Sequence, residues 1–161
     1  MRRTRAAAGS VSFLVLAPGL VAGLVPWLLT GWRATGAPLW LQAAGWVVLA
    51  GGVAVVLEAF ARFVFEGAGT PAPAAPTEKL VVGGLYRYVR NPMYLAVAAV
   101  ILGQAAMLGR WVLLGYALVY GVTVGAFVRW YEEPTLRRQF GSAYDEYRRA
   151  VPGWWPRRPG S

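Results

Sequence analysis

Residues 84–95 read GLYRYVRNPMYL, and they stand directly in front of a long apolar run that begins at Pro92. Two arginines, three tyrosines and an Asn-Pro step fall within this one stretch. Proline suits the first position of a helix, because its missing N–H is one the helix would leave unpaired anyway. The stretch therefore reads as the mouth of a helix entering an apolar phase. Arginine at such a boundary can simply hold the chain on the cytoplasmic side of a membrane. Arg-Asn-Pro-x-Tyr at a helix mouth can also form part of a binding site, and the rest of the sequence has to decide.

Composition points to the membrane. The 161 residues are 57% hydrophobic and only 14% charged, with a net charge of +9. A soluble domain carries about a quarter of its residues as charges. The length allows one domain of a few spanning helices. The basic residues gather at the ends of apolar runs, which fits membrane anchoring, and no soluble nucleic-acid-binding module is visible. No nucleic-acid partner is expected.

Two absences restrict the chemistry. Without Cys there is no disulfide framework, thiolate nucleophile or zinc ribbon, and without His no imidazole base or Ser-His triad. No metal site is expected. The seven carboxylates are Glu58, Glu66, Glu78, Glu132, Glu133, Asp145 and Glu146. Catalysis must use these, Tyr and Arg, or a bound cofactor.

Four apolar segments follow one another. The first, from about Val11 to Thr30, comes after Arg2, Arg3 and Arg5; it is long enough to span and lacks a convincing cleavage site. Pro18 and Pro26 should bend it, tolerably if neighbouring helices supply donors to the freed carbonyls. The second runs from about Leu39 to Phe65, with Glu58 and Arg62 four residues apart and able to pair. Residues 66–82 hold three prolines, Pro71, Pro73 and Pro76, and cannot continue a helix. The third segment, Pro92 to about Leu108, and the fourth, Trp111 to about Trp130, are separated by two residues and must form an antiparallel hairpin. Gly121 and Gly125 give the fourth a small face suited to close helix packing.

The reading is thus an all-α integral membrane protein with about four spans, the last two a short hairpin, and a single domain throughout. It divides into an N-terminal pair (1–65), a Pro-rich loop (66–90), and a hairpin with tail (91–161). Arg33 and Arg110 lie in the turns on one side, whereas the other fourteen Lys and Arg lie at the opposite ends. That asymmetry places both termini, the loop and the tail in the cytoplasm, at a cell membrane. In the tail, Leu136, Phe140, Tyr144, Tyr147 and Val151 recur at helical steps, predicting a basic amphipathic helix at the interface, followed by Trp154-Trp155. Such a helix explains Arg137 to Arg149 as anchors. It does not explain Glu132 and Glu133, two acids at the inner end of a span, a costly position unless something positive faces them.

The ordered set LVVGGLYRYVRNPMYL, a helical hairpin, then YEEPTLRRQFGSAYDEYRRAVPGWWP resembles the isoprenylcysteine carboxyl methyltransferase family, which is itself similar to the phospholipid N-methyltransferases. The resemblance covers roughly residues 80–156; the first two spans match only as membrane helices. It implies a membrane-embedded methyltransferase that uses S-adenosylmethionine, bound at the cytoplasmic side between the last helices and the tail. A hydrophobic or lipid substrate would enter from the bilayer, with membrane lipids all around. By the same resemblance, Arg90, Asn91, Pro92 and Tyr94 correspond to the cofactor region, Glu132 and Glu133 to its acidic pair, and Tyr144 and Tyr147 to the tail tyrosines. Where the prenylcysteine enzymes carry His, this chain has Asn91, which can hydrogen-bond but does not titrate.

The residue chemistry agrees. Arg87 or Arg90 suits the cofactor carboxylate, Glu132 or Glu133 its ribose hydroxyls or ammonium, and aromatic faces its adenine and sulfonium. Arg90, Arg87 and Tyr94 are the candidates for the reaction itself. Methyl transfer needs alignment and exclusion of water rather than an enzyme nucleophile. A carboxylate acceptor is already deprotonated, so the lack of His favours it over the amine of a phospholipid headgroup. Three other readings stay open: an internal ion-pair network closing the hairpin, a small transporter or non-catalytic membrane protein, and a membrane reductase of the sterol type, for which no nicotinamide-recognition motif is visible. Against a proton-coupled carrier, no acid lies mid-span, and Glu58, the nearest, has Arg62 beside it.

Overall fold

The structure is a computed structural model that describes residues 12, 16–66 and 78–160. Arg2, Arg3 and Arg5 and the prolines at 71, 73 and 76 lie outside the described residues, so the expectations placed on them have no structural counterpart here. Among the described residues every regular element is helical. We number them α1 (Leu16–Thr30), α2 (Leu39–Phe65), α3 (Pro92–Leu108), α4 (Val112–Phe140) and α5 (Ser142–Ala150), with a 3₁₀ turn at Gly84–Arg87 before α3. The helices α2 and α4, of 27 and 29 residues, are long and apolar enough to cross a membrane; α1 and α3 are shorter apolar helices.

Large apolar side chains face outward on both long helices, among them Val47 on α2 and Leu118, Val119 and Val122 on α4. In water such continuous exposure would be unfavourable by about 25 cal/mol per Å². Against lipid tails it has no such penalty, so the surface asks for an apolar solvent.

The bundle is organised around α3, and its principal partner is α2 rather than the hairpin neighbour α4. Gly45, Gly52 and Gly103 bring the α2 and α3 backbones together. A Cβ on Gly52 would lie 2.9 Å from the Ala96 carbonyl, and one on Gly103 would lie 2.8 Å from that of Gly45. Val56, Ala59 and Phe60 of α2 then interlock with Met93, Ala96, Val97 and Ile101 of α3, over Tyr86. By contrast, Gly121 and Gly125 meet nothing within 4 Å, so the small face expected to pack closely on α4 has no partner among the described residues.

Two prolines are absorbed by the same device. A π-helical turn at Leu20–Leu24 ends two residues before Pro26, and another at Val128–Glu132 ends two residues before Pro134. Proline lacks a helical donor and its ring crowds the carbonyl one turn back; the wider turn makes room. The carbonyls of Val21 and Ala22, one widened turn back from Pro26, accept from Tyr116 Oη and Gln104 Nε2 instead. This gives a reason for a buried glutamine in an apolar helix, as expected of prolines in membrane helices. The second π turn also carries α4 beyond Trp130, where the sequence suggested its end, to Phe140.

At one end of the bundle the turns holding Arg33 and Arg110 are tied together: the Thr35 amide donates to the Leu108 carbonyl (2.9 Å), and Thr35 Oγ1 to that of Gly109 (2.7 Å). The candidate site lies at the other end.

Candidate functional site

The site begins with the segment GLYRYVRNPMYL, residues 84–95. Gly83 and Gly84 lay the backbone directly on the last turns of α2. Gly84 has φ +57°, and a Cβ there would fall on Glu58 Oε1 and Arg62 Nε. Glu66 Oε1 accepts from the Val82 and Gly83 amides at 3.0 and 2.9 Å. Glu58 and Arg62 form the pair expected from their spacing, at 2.9 Å. The other carboxylate oxygen of Glu58 is buried without a partner among the described residues. The 3₁₀ turn that follows buries Tyr86 and delivers Arg90 and Asn91 to the start of α3.

Arg90 is the hub. Its Nη1 donates to Glu133 Oε1 at 2.6 Å and to Tyr144 Oη at 3.1 Å, and its Nε to the Val151 carbonyl at 3.0 Å. Both charged side chains are mostly withdrawn from solvent, Arg90 at 13% and Glu133 at 15% exposure. A charge-assisted bond this short and this dry is among the stronger side-chain interactions available. The second Glu133 oxygen has Arg148 Nη2 at 3.6 Å. Glu132 turns the other way and accepts from Tyr94 Oη. The adjacent acids thus have different partners: Glu133 faces guanidinium groups, Glu132 a phenol at the mouth of α3.

The tail is sewn to the same segment. Residues 151–157 run beside residues 86–91, with the Arg90 amide donating to Pro152 (2.9 Å) and the Arg157 amide to Tyr88 (3.0 Å). Asn91 Nδ2 donates to the Gly153 carbonyl at 3.0 Å, so this buried side chain holds the tail rather than capping α3. Tyr147 Oη donates to the Tyr86 carbonyl at 2.7 Å. Burial raises the hydroxyls of Tyr86 and Tyr147 above the ordinary tyrosine value. That of Tyr144 is raised by burial and by Glu133, with Arg90 pulling the other way.

The structure therefore brings together Arg90, Asn91, Pro92, Glu133, Tyr144 and Tyr147, with Tyr94 and Glu132 adjoining through their own bond. Arg87 is apart from them: it is exposed and has no hydrogen bond or ion pair to a described residue. The amphipathic tail expected as one helix is divided at Gly141, whose φ of +58° and ψ of −128° only glycine adopts readily. Reversal of the chain there is what turns Tyr144 and Arg148 back toward Arg90 and Glu133. Sequence reading missed three contributors. Glu66 continues the Glu58–Arg62 spacing by one more turn, a signal that was present; Gly84 heads the quoted segment, but its packing on Glu58 and Arg62, like the approach of Arg148 to Glu133, joins residues distant in sequence.

Comparison with known proteins adds one positive finding. Residues 40–143 match the family model described as phospholipid methyltransferase, a span that takes in α2, the Arg90 segment, the hairpin, both acids and the Gly141 turn. No curated protein matches the chain.

Proposed function

The chain belongs to the phospholipid methyltransferase family, and on that premise we propose that it methylates a hydrophobic or lipid acceptor using S-adenosylmethionine. The observation that carries the reading is the convergence of Arg90, Glu133, Glu132 and Tyr94 where the hairpin meets the tail. The donor set fits the cofactor: carboxylates for ribose hydroxyls and ammonium, guanidinium groups for its carboxylate, tyrosine faces for adenine and sulfonium. When bound, S-adenosylmethionine supplies a methyl group activated by its sulfonium. Arg90 sets the position of Glu133 and closes the tail over the site. Tyr94 holds Glu132, and the tail and α3 exclude water from the acceptor.

We place the site, both termini and the Pro-rich loop on the cytoplasmic side, with α1 to α4 as four spans. The acceptor enters from the bilayer. Arg90 is already committed to Glu133, Tyr144 and the Val151 carbonyl, and so is poorly placed to hold a carboxylate acceptor. Glu132 is the group available to take a proton at the mouth of α3, which favours an amine acceptor as in phospholipid N-methylation. A carboxylate acceptor, the expectation from composition, draws its support from Arg87, whose guanidinium is free of described partners.

The test is calorimetric binding of S-adenosylmethionine and S-adenosylhomocysteine to the purified protein, followed by transfer of labelled methyl to phosphatidylethanolamine or to a prenylated cysteine. Saturable binding lost in Glu133→Gln supports the assignment. Absence of binding by a folded sample in both detergent and lipid overturns it.

A further inference from the structure

A cleft of about 360 Å³ opens between the inner end of α4 and the start of α5, outside the Tyr94–Glu132 mouth. Arg129, Arg137, Arg138 and Arg148 line it, with Glu133 and Tyr144 among its remaining walls. Four guanidinium groups against one carboxylate make it strongly positive. Arg137 has Asp145 outside the cleft (2.9 Å) and Arg148 has Glu133 (3.6 Å). Among the described residues the Arg138 side chain donates to Thr135 Oγ1 alone (3.2 Å), and Arg129 has no side-chain hydrogen bond or ion pair.

A topology signal needs positive charge at the end of a span but no concavity, and these arginines come from two helices folded toward each other by the Gly141 reversal. The Glu133 and Tyr144 wall is shared with the proposed cofactor site, but the part lined by Arg129, Arg137 and Arg138 is a poor place for S-adenosylmethionine, because its sulfonium and ammonium outweigh its carboxylate. Guanidinium forks instead match phosphate oxygens in geometry and charge. The depth is also defined. Trp130 on the adjoining turn is 77% exposed and Phe127 stacks on Tyr131, aromatic groups of the kind that settle at headgroup level.

We infer that this cleft binds the phosphate of an anionic lipid headgroup from the surrounding leaflet. The inference rests on insertion in the membrane and not on methyl transfer. A net anionic headgroup is preferred to a zwitterionic one, whose ammonium the same guanidinium groups repel.

The full-length protein in neutral detergent is titrated with dioleoyl-phosphatidylglycerol, dioleoyl-phosphatidylcholine or inorganic phosphate, and its thermal unfolding is followed. Phosphatidylglycerol is expected to raise the midpoint saturably, and phosphatidylcholine to leave it unchanged. Arg129→Gln with Arg138→Gln weakens the phosphatidylglycerol response about thirtyfold, from the usual worth of two basic residues at a membrane surface. Arg33→Gln with Lys79→Gln, which removes the same charge elsewhere, leaves it intact. An equal loss in both double variants means a general charge effect and overturns the proposal, as does an unchanged response in Arg129→Gln/Arg138→Gln. A shift of the same size from phosphate alone overturns the lipid source. Cofactor binding is measured separately, so its failure leaves these outcomes readable.

Discussion

Arg90 illustrates how one side chain can hold three parts of a chain together. Its planar fork reaches Glu133 on α4, Tyr144 on α5 and the Val151 carbonyl in the tail at once. Arg90→Lys keeps the charge but not the fork. The expected result is a folded protein whose S-adenosylhomocysteine affinity falls at least tenfold by calorimetry. Arg90→Ala also leaves Glu133 short of its main partner, and should lower stability by about 2–3 kcal/mol, less than a fully buried pair would lose. Gly84 makes a second residue-scale case. Gly84→Ala meets both a left-handed φ and the Glu58–Arg62 pair, and should cost about 1–3 kcal/mol. Gly115→Ala, with open space around it, should be neutral or slightly stabilising in the helix. Equal unfolding midpoints for these two variants would contradict the docking of the loop on α2. The sequence made Arg90, the acidic pair and the tail tyrosines legible because their spacing is a pattern. It could not separate Arg90 from Arg87, since which of two arginines points inward is set by a 3₁₀ turn that neither residue announces.

At the scale of elements, the helices were legible and their irregularities were not. Apolar runs and prolines define where α2 and α3 begin, yet the π turns before Pro26 and Pro134 arise from a contest between ring crowding and hydrogen bonding that composition does not display. The close α2–α3 contact was hidden for a related reason. Gly45, Gly52 and Gly103 match only across two helices, whereas Gly121 and Gly125 form a visible motif on one helix and find no partner here. The Gly141 break is the element on which the site depends. Gly141→Ala should cost about 1–3 kcal/mol locally and, by letting α4 run on toward α5, should carry Tyr144 and Arg148 away from Arg90 and Glu133. Cofactor binding is then lost while helical content by circular dichroism stays near that of the parent. Retained binding in Gly141→Ala would show that the reversal is not needed.

For the whole molecule, the absence of native cysteine makes sidedness easy to test. Cysteine in place of Ala34 and in place of Glu146 should react with an impermeant maleimide from opposite sides of the membrane, the second from the cytoplasm. Labelling of both from one side would refute the three spans proposed between them. Alkaline pH probes the docking of the tail. The Tyr86 and Tyr147 hydroxyls are raised by burial above their ordinary value of 10.0. Their neutral forms therefore stabilise the fold fully below about pH 10, and that contribution disappears as pH climbs through the higher folded-state values. Phenolate absorbance from these two should appear above pH 10 together with loss of cofactor binding. Their ionisation at the ordinary value without structural change would contradict the burial.

The stitching of residues 151–157 to residues 86–91 also has a consequence in time. Arg90 and Asn91 meet their tail partners across some sixty residues of chain, so Val151, Pro152 and Gly153 leave the ribosome only after the hairpin has. Until then Arg90 and Asn91 must lean on water or lipid phosphate, and the site has no lid. A chain truncated before Val151 should integrate into the bilayer and fail to bind S-adenosylhomocysteine, because the candidate site closes only when the tail is threaded home.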